Sequence, residues 1–257
     1  IFEMQKKEAN QLFCNFIEDH YLDWLNGVED GPLFIQNVIK KRILNNSSTE
    51  KTLVLVIDNL RFDQWKVLEP VFNKYFVKEK EEIVYSILPT ATQYARNAFF
   101  SGLMPSEIAR KHPQYWKNEE DEGSKNLHEK SLLEAQLKRL GKNIKWSYNK
   151  ITNVDAGKKL NEQFHTLKQN DVNFIVYNFV DMLSHARTEM EVIRELADDE
   201  SAYRSITMSW FEHSPLLDII KQAAEDQIKL VITTDHGTIK VNQPVKIAGE
   251  RNTNTNL

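Results

Sequence analysis

Short apolar runs alternate with amphipathic stretches along most of the chain. Residues 52–57, 173–180 and 229–233 are rich in β-branched and apolar side chains, which is typical of strands that are covered on both faces. Apolar residues also alternate over 83–87 and 144–148, and this period predicts two further strands. Strands that alternate with helices predict a doubly wound α/β fold, with a mostly parallel sheet and helices on both faces.

Helical periodicity separates these strands. Apolar residues recur at steps of three and four positions, which places them on one face of a helix. A helical pattern follows the first strand through Leu68, and Gly141 is well suited to end the later helix over 127–140. The later helices are predicted over residues 92–103, 127–140, 155–168 and 200–226.

The first 46 residues form a separate helical pattern. An apolar stripe predicts one helix before Gly27, and Cys14 beside that stripe is expected to be buried. Apolar positions between Phe34 and Ile43 predict a second helix. The polar run over 45–49 is typical of a boundary. We therefore predict a helical region over residues 1–48 and an α/β domain over residues 49–257.

Composition narrows the classes of protein to which the chain can belong. It has 257 residues, with 41% hydrophobic and 27% charged, which excludes disordered and fibrous proteins. The 33 basic and 37 acidic side chains give a net charge of −4. This balance argues against duplex nucleic acid as the main partner. The single cysteine, Cys14, excludes an internal disulfide.

No segment is suited to a membrane. The longest apolar run is five residues, 53–57, whereas a spanning helix needs about 20. The first residues lack the basic and apolar parts of a signal peptide. We therefore expect no membrane insertion and a cytoplasmic location. Because the first residue is Ile1, we expect the chain to be a piece of a longer one.

Polar residues follow the predicted strands where each strand ends. Asp58, Asp181 and the Asp235–His236 dipeptide each come after a buried run, and Thr92 follows the strand predicted at 83–87. In open α/β sheets, ligands bind outside the carboxyl ends of the strands. We therefore expect these separate segments to meet in one crevice.

The residue types in this crevice are those of a metal site. Three carboxylates close together repel one another and raise each other's pKa unless a cation neutralises them. His185 and His236 favour zinc, which accepts nitrogen and oxygen ligands, over magnesium, and manganese is an alternative. Asp181 and His185 are four positions apart, so one helical turn presents both to one ion.

Four segments resemble the alkaline phosphatase superfamily, and more narrowly its PglZ domain. They are VIDNLR (56–61), LPTATQYARNAFFSGLMP (88–105), NFVDMLSH (178–185) and ITTDHG (232–237). The resemblance covers about residues 50–250. The helical segment before it is similar to the PorX type of response regulator in type IX secretion. In that type a receiver domain and a helical region precede the PglZ domain.

The resemblance implies two zinc ions bridged by phosphate. The ligands of the first ion would be Asp58, Thr92, Asp235 and His236. The second ion would take Asp181, His185 and a further histidine that follows His236. The chain has no histidine beyond His236, so either it stops before this ligand or the second site is incomplete. We expect truncation here, as at the first residue, and therefore at both ends.

The resemblance also implies which residue attacks phosphorus. In the pattern Pro-Thr-x-Thr the second threonine is the nucleophile, which is Thr92 here, and Thr90 is the alternative. Thr92 also begins a predicted helix, whose first N–H groups favour a phosphate oxygen. The alternative role of Thr92 is that of the helix N-cap, and the two roles are compatible. Arg96 lies on the same helical face and is either a phosphate ligand or a surface arginine.

Together these features predict a zinc-dependent phosphodiesterase that acts on nucleotides or short oligonucleotides through Thr92. Trp65, Tyr94, Phe99 and Phe100 are candidates to stack a base, although aromatic residues at helical spacing are more often core. As an effector domain it would follow a receiver domain, form a homodimer on activation and act with secretion or transcription regulators. The alternative is a non-catalytic metal-binding domain that works by dimerisation or partner docking.

Overall fold

A four-stranded parallel sheet forms the centre of the computed structural model, which describes residues 1–44, 50–118 and 121–239. The strands are β1 (Thr52–Ile57), β2 (Trp146–Ile151), β3 (Val172–Tyr177) and β4 (Lys229–Thr233), in the order β2-β3-β1-β4. Each neighbouring pair is parallel. Every residue of the central strands β1 and β3 is buried, which explains their continuous apolar runs.

Helices surround the sheet, and several of them lie between successive strands along the chain. Three tight turns, at Ile35–Asn37, Ile39–Ile43 and Pro113–Tyr115, complete the regular structure of the described ranges. The helices are α1 (Phe2–Asn26), α2 (Phe62–Phe72), α3 (Thr92–Ser101), α4 (Pro105–Lys111), α5 (Glu129–Arg139), α6 (Val154–Glu162), α7 (Phe164–Leu167), α8 (Phe179–Glu189), α9 (Glu191–Leu196), α10 (Glu200–Glu212) and α11 (Pro215–Glu225).

The two faces of the sheet carry separate hydrophobic cores. Along β1, Val54 and Val56 point into one core, while Leu53, Leu55 and Ile57 point into the other. The first core contains α3 and α5, and the second contains α2, α6 and α11. Because successive strand residues face opposite sides, both faces of β1 need apolar residues. The predicted doubly wound α/β fold with helices on both faces is confirmed.

The strand predictions were correct for the buried runs. β1 and β4 have the predicted limits, and the run at 173–180 ends earlier, at Tyr177, because α8 begins at Phe179. The strand predicted at 83–87 is wrong. Tyr85 there makes only an isolated bridge to Phe34, and its backbone bonds to Leu33 and Ile35 instead of joining the sheet.

The N-terminal segment is helical as predicted, but it is mostly exposed. No residue of α1, all of which lies within the described ranges, is buried, and the helix ends at Gly27 in a left-handed conformation. Only its last turns pack on the first core, through Tyr21, Trp24 and Leu25. Cys14 lies before those turns and is exposed, so its predicted burial is wrong.

Residues 34–44, which follow α1, belong to the first core. In place of the second helix predicted between Phe34 and Ile43, a 3₁₀ turn and a π-helical turn carry buried apolar side chains against the sheet. The predicted boundary at residue 48 falls within 45–49, outside the described residues, so the division into 1–48 and 49–257 stays a prediction. None of the helices in the described ranges has both the length and the apolar composition needed to cross a bilayer.

We expect Gly102→Ala to destabilise the fold more than Gly141→Ala. Both glycines end a helical segment with positive φ, 64° and 63°, so each substitution carries a left-handed cost of about 1–2 kcal/mol. Only the added Cβ at position 102 meets a neighbour, because it would clash with Nε2 of the buried Gln136. Urea unfolding of the two variants measures the difference, and equal losses would contradict this packing.

Candidate active site

The strand register brings three polar segments to one edge of the sheet. Ile57 of β1 aligns with Tyr177 of β3, and Val56 aligns with Thr233 of β4. Asp58 directly follows β1, and its backbone N–H donates to the carbonyl of Tyr177. The residues that follow β3 and β4 therefore begin at the same level as Asp58. This is the convergence of strand ends that the sequence predicts.

Asp58, Asp235 and His236 form a compact group, which we call the ligand triad. One possible ligand atom from each lies within 4.8 Å of the others, and all three residues are buried. Nε2 of His236 is 3.8 Å from Oδ1 of Asp58 and 3.9 Å from Oδ2 of Asp235. Two carboxylates and one imidazole are a donor set that suits a divalent metal ion.

The charge balance of the triad also fits a cation. Oδ1 of Asp235 accepts from the N–H groups of Asn59 and His236, at 3.2 and 3.0 Å. Its Oδ2 is buried and has no hydrogen-bond partner among the described residues. A buried carboxylate oxygen without a donor is costly. Burial, and then the charge of Asp58, raise the pKa of Asp235 to about 6. A bound divalent ion would relieve both costs.

Thr92 is in contact with the triad. Its Oγ1 lies 2.8 Å from Nε2 of His236 and donates to Oδ1 of Asp58 at 3.4 Å. The N-cap of α3 is Ala91, so Thr92 is the first residue of the helix. Its hydroxyl therefore faces the triad instead of capping the helix. Thr90, the alternative nucleophile, is exposed.

The Asp181–His185 pair lies beside the triad. Both residues are on α8, with His185 Nε2 3.6 Å from Asp181 Oδ2, as their spacing predicts. Burial, and then the charge of Asp58, raise the pKa of Asp181. The side chain of His185 is 67% exposed. Within the described ranges only the triad forms a group of three possible ligands, so a second metal site stays a prediction.

Arg96 is buried between two carboxylates. Its side chain is 2% exposed, with Nη1 at 2.5 Å from Oδ2 of Asp58 and Nε at 2.7 Å from Oε1 of Glu129. Lys150 and the hydroxyl of Tyr148 also contact Glu129. Arg96 is therefore not a surface arginine. Its role as a phosphate ligand stays a prediction, and the partners that it has here are Asp58 and Glu129.

Sequence reasoning missed two residues of this region, Glu129 and Asn59. Glu129 lies in a charge-rich stretch, and no local pattern distinguishes it from solvated acids. Asn59 directly follows Asp58, and its position after a strand-end ligand was the available signal.

The aromatic candidates for base stacking have other contacts. Phe99 and Phe100 are fully buried in the first core, so they do not stack a ligand. Trp65 donates to Glu81 and packs on Phe72.

The raised carboxyl pKa makes the metal-free protein pH-dependent. Burial, and then the charge of Asp58, raise the pKa of folded Asp235 from its ordinary value near 3.8 to about 6. Between these values the folded state binds more protons than the unfolded state. We therefore expect the free energy of unfolding of the metal-free protein to fall as pH rises from about 4 to about 6. Asp235→Asn should weaken this trend, and Asp181, whose pKa is also raised, should contribute the part that remains.

Metal binding should follow the opposite pH dependence, because a ligand carboxylate must lose its proton. We expect a divalent metal to raise Tm more at about pH 7.5 than at about pH 5.5. Thermal unfolding with and without metal measures both effects. A metal-induced shift of the same size at both pH values would contradict the assignment of Asp235 as a ligand.

Comparison with known families agrees with this architecture. Residues 34–256 match the model of the BREX system PglZ alkaline phosphatase-like domain, and this range includes every residue of the candidate site. Residues 1–25 match the PorX response regulator linker domain. A search of curated proteins found no match. Since the PglZ match covers most of the chain, the chain belongs to the PglZ family of alkaline phosphatase-like domains.

Proposed function

We propose that the protein is a zinc-dependent phosphodiesterase that acts on nucleotides or short oligonucleotides. The observation that carries this proposal is the position of the Thr92 hydroxyl. It lies 2.8 Å from His236 Nε2 and 3.4 Å from Asp58 Oδ1, inside a group of buried metal-ligand types. The match to an alkaline phosphatase-like domain supports phosphoester chemistry.

The ligand triad and Thr92 would hold one ion, and the Asp181–His185 pair would contribute to a second. Zinc suits this mixture of imidazole and carboxylate, and manganese is the alternative. When bound, the ions neutralise charge on the phosphate and make a hydroxyl easier to ionise. One ligand oxygen, Oδ2 of Asp235, is otherwise without a hydrogen-bond partner among the described residues.

Thr92 would carry the covalent step. Its Oγ1 loses a proton and bonds to phosphorus, while the bond from phosphorus to the leaving alcohol breaks and the alkoxide takes up a proton. Water then cleaves the ester between Thr92 and phosphate and restores the hydroxyl. The N-terminus of α3, where Thr92 lies, favours the negative charge of the phosphate. Arg96 would reach the phosphate only by leaving Asp58 or Glu129.

The match to a PorX linker supports an effector role in a response regulator. We propose that a receiver domain controls the activity, that activation produces a homodimer, and that secretion or transcription regulators are partners. In this proposal the protein works in the cytoplasm and in type IX secretion.

Metal removal and one substitution test the proposed activity. We expect purified protein to contain zinc, to hydrolyse bis-p-nitrophenyl phosphate, and to lose this activity on chelation until zinc is restored. Asp235→Ala should lose bound metal and turnover together. Asp218→Ala, which removes an exposed carboxylate on α11, is the matched control and should keep both. Hydrolysis that survives chelation and Asp235→Ala would contradict the proposal.

The exposed face of α1 favours the second candidate function, a non-catalytic docking domain. Phe2, Leu12 and Phe13 are more than half exposed, which is unusual for large apolar side chains along one helix. Metal retained at the triad without any turnover of phosphodiesters would support this alternative.

A further inference from the structure

We propose that Asn59 is a positioning residue that fixes the Asp181–His185 pair relative to the ligand triad. This inference rests on the proposed function, because it concerns how two metal sites are held at the right separation. Asn59 is 3% exposed and directly follows Asp58. Its backbone N–H donates to Oδ1 of Asp235 at 3.2 Å, and its Nδ2 donates to Oδ1 of Asp181 at 3.4 Å. One residue therefore contacts both ligand sets.

The backbone of Asn59 adopts a conformation that few side chains accept. Its φ is 60°, and among the described non-glycine residues only Gln227 shares a positive φ. Asparagine tolerates this region better than most residues, but the conformation persists only where surrounding contacts hold it. Here the next residue, Leu60, donates its N–H to Thr234 Oγ1 at 3.1 Å. The turn after β1 and the loop after β4 are thus tied by two backbone N–H groups.

The side chain of Asn59 connects this unit to α8. Its amide directs Nδ2 to the Asp181 carboxylate, whereas the reversed amide would place an oxygen against that carboxylate. The amide Oδ1 is buried and has no hydrogen-bond partner among the described residues. A buried amide with an unsatisfied oxygen lowers the free energy of unfolding, so stability alone does not account for this side chain. The contact with Asp181 explains why this amide is present, because residues that hydrogen-bond to metal ligands orient those ligands and tune the affinity for the metal.

Asn59→Gly isolates the side chain. Glycine accepts a positive φ without strain and keeps the N–H that donates to Asp235, so the triad side of the contact is preserved. Only the amide that reaches Asp181 is lost. Asp181→Ala is the matched variant, because it removes the other partner of the same hydrogen bond and a predicted ligand of the second ion.

The test is a calorimetric zinc titration of the chelator-treated full chain. Wild type is expected to show a tight and a weaker class of site. Asn59→Gly should weaken the weaker class about tenfold or more, which is the usual loss when such a partner is removed, and leave the tight class unchanged. In the Asp181→Ala background Asn59→Gly should have no further effect. Equal affinities in wild type and Asn59→Gly, or an equal loss at both classes, would overturn the proposal.

A second measurement separates this inference from the proposed function. A double-mutant cycle of Asn59→Gly and Asp181→Ala uses the urea unfolding of metal-free protein. The change in the folding equilibrium constant of the double variant is expected to differ by at least about threefold from the product of the changes in the two single variants, because the two residues share a contact. Multiplicative effects would overturn the positioning role whether or not ions bind. Wild type that binds no zinc but shows a non-multiplicative cycle would instead contradict the proposed function.

Discussion

Thr92→Val is expected to lower kcat/KM for bis-p-nitrophenyl phosphate by at least on the order of 10³-fold, because a covalent hydrolase that loses its nucleophile keeps little more than binding and electrostatic catalysis. Valine keeps the β-branched shape of threonine and removes only the hydroxyl that contacts His236 and Asp58. The ligand triad remains, so bound metal should be largely retained. Steady-state kinetics and metal analysis of the same preparation measure both quantities.

Two control variants make this result specific. Thr92→Ser keeps a hydroxyl at the same position and should retain most of the activity. Thr90→Val alters an exposed threonine two positions earlier and should leave kcat/KM unchanged. Full activity in Thr92→Val, or loss of activity in Thr90→Val, would show that the nucleophile has been wrongly assigned.

Arg96→Met is expected to lower the free energy of unfolding by about 3–5 kcal/mol, the usual cost of removing one partner of a buried ion pair. The guanidinium lies between Asp58 and Glu129, which are 0% and 1% exposed. Without Arg96, the Asp58 carboxylate and the Glu129 side chain have lost their main counter-charge in a buried environment. Urea unfolding of metal-free protein measures this loss.

Arg42→Met is the matched control for this prediction. Arg42 also binds a carboxylate through two nitrogens, but its pair with Glu82 is far more exposed, at 41% and 29%. Its loss should therefore change stability far less than the loss of Arg96, because solvent screens an exposed ion pair. Added metal should restore part of the stability of Arg96→Met, since it neutralises Asp58. An Arg96→Met protein with wild-type stability and a raised KM would instead support the phosphate contact predicted for Arg96.

The fold was largely predictable because its central strands are buried on both faces. β1 and β4 had the predicted limits, since an apolar run bounded by polar residues marks such a strand. The segment at 83–87 did not form a strand of the sheet. An alternation of apolar residues shows which way successive side chains point, but it does not show whether a neighbouring strand is available to pair with the backbone. The backbone of Tyr85 bonds to Leu33 and Ile35, where the first 3₁₀ turn begins. No local sequence pattern predicts this pairing.

By itself, the sequence determined the buried strands, the helical segments between them and the polar residues that end the strands, because these depend on neighbours a few positions apart. It also placed Asp58 and Asp235 at one sheet edge, which follows from parallel strands, whereas Thr92 reaches them from the first turn of α3 and not from the end of a sheet strand. Only the tertiary structure decided that Arg96 is buried against Glu129, 33 positions away, and that Asn59 reaches Asp181, 122 positions away. Such contacts depend on register and helix packing, which local periodicity does not contain.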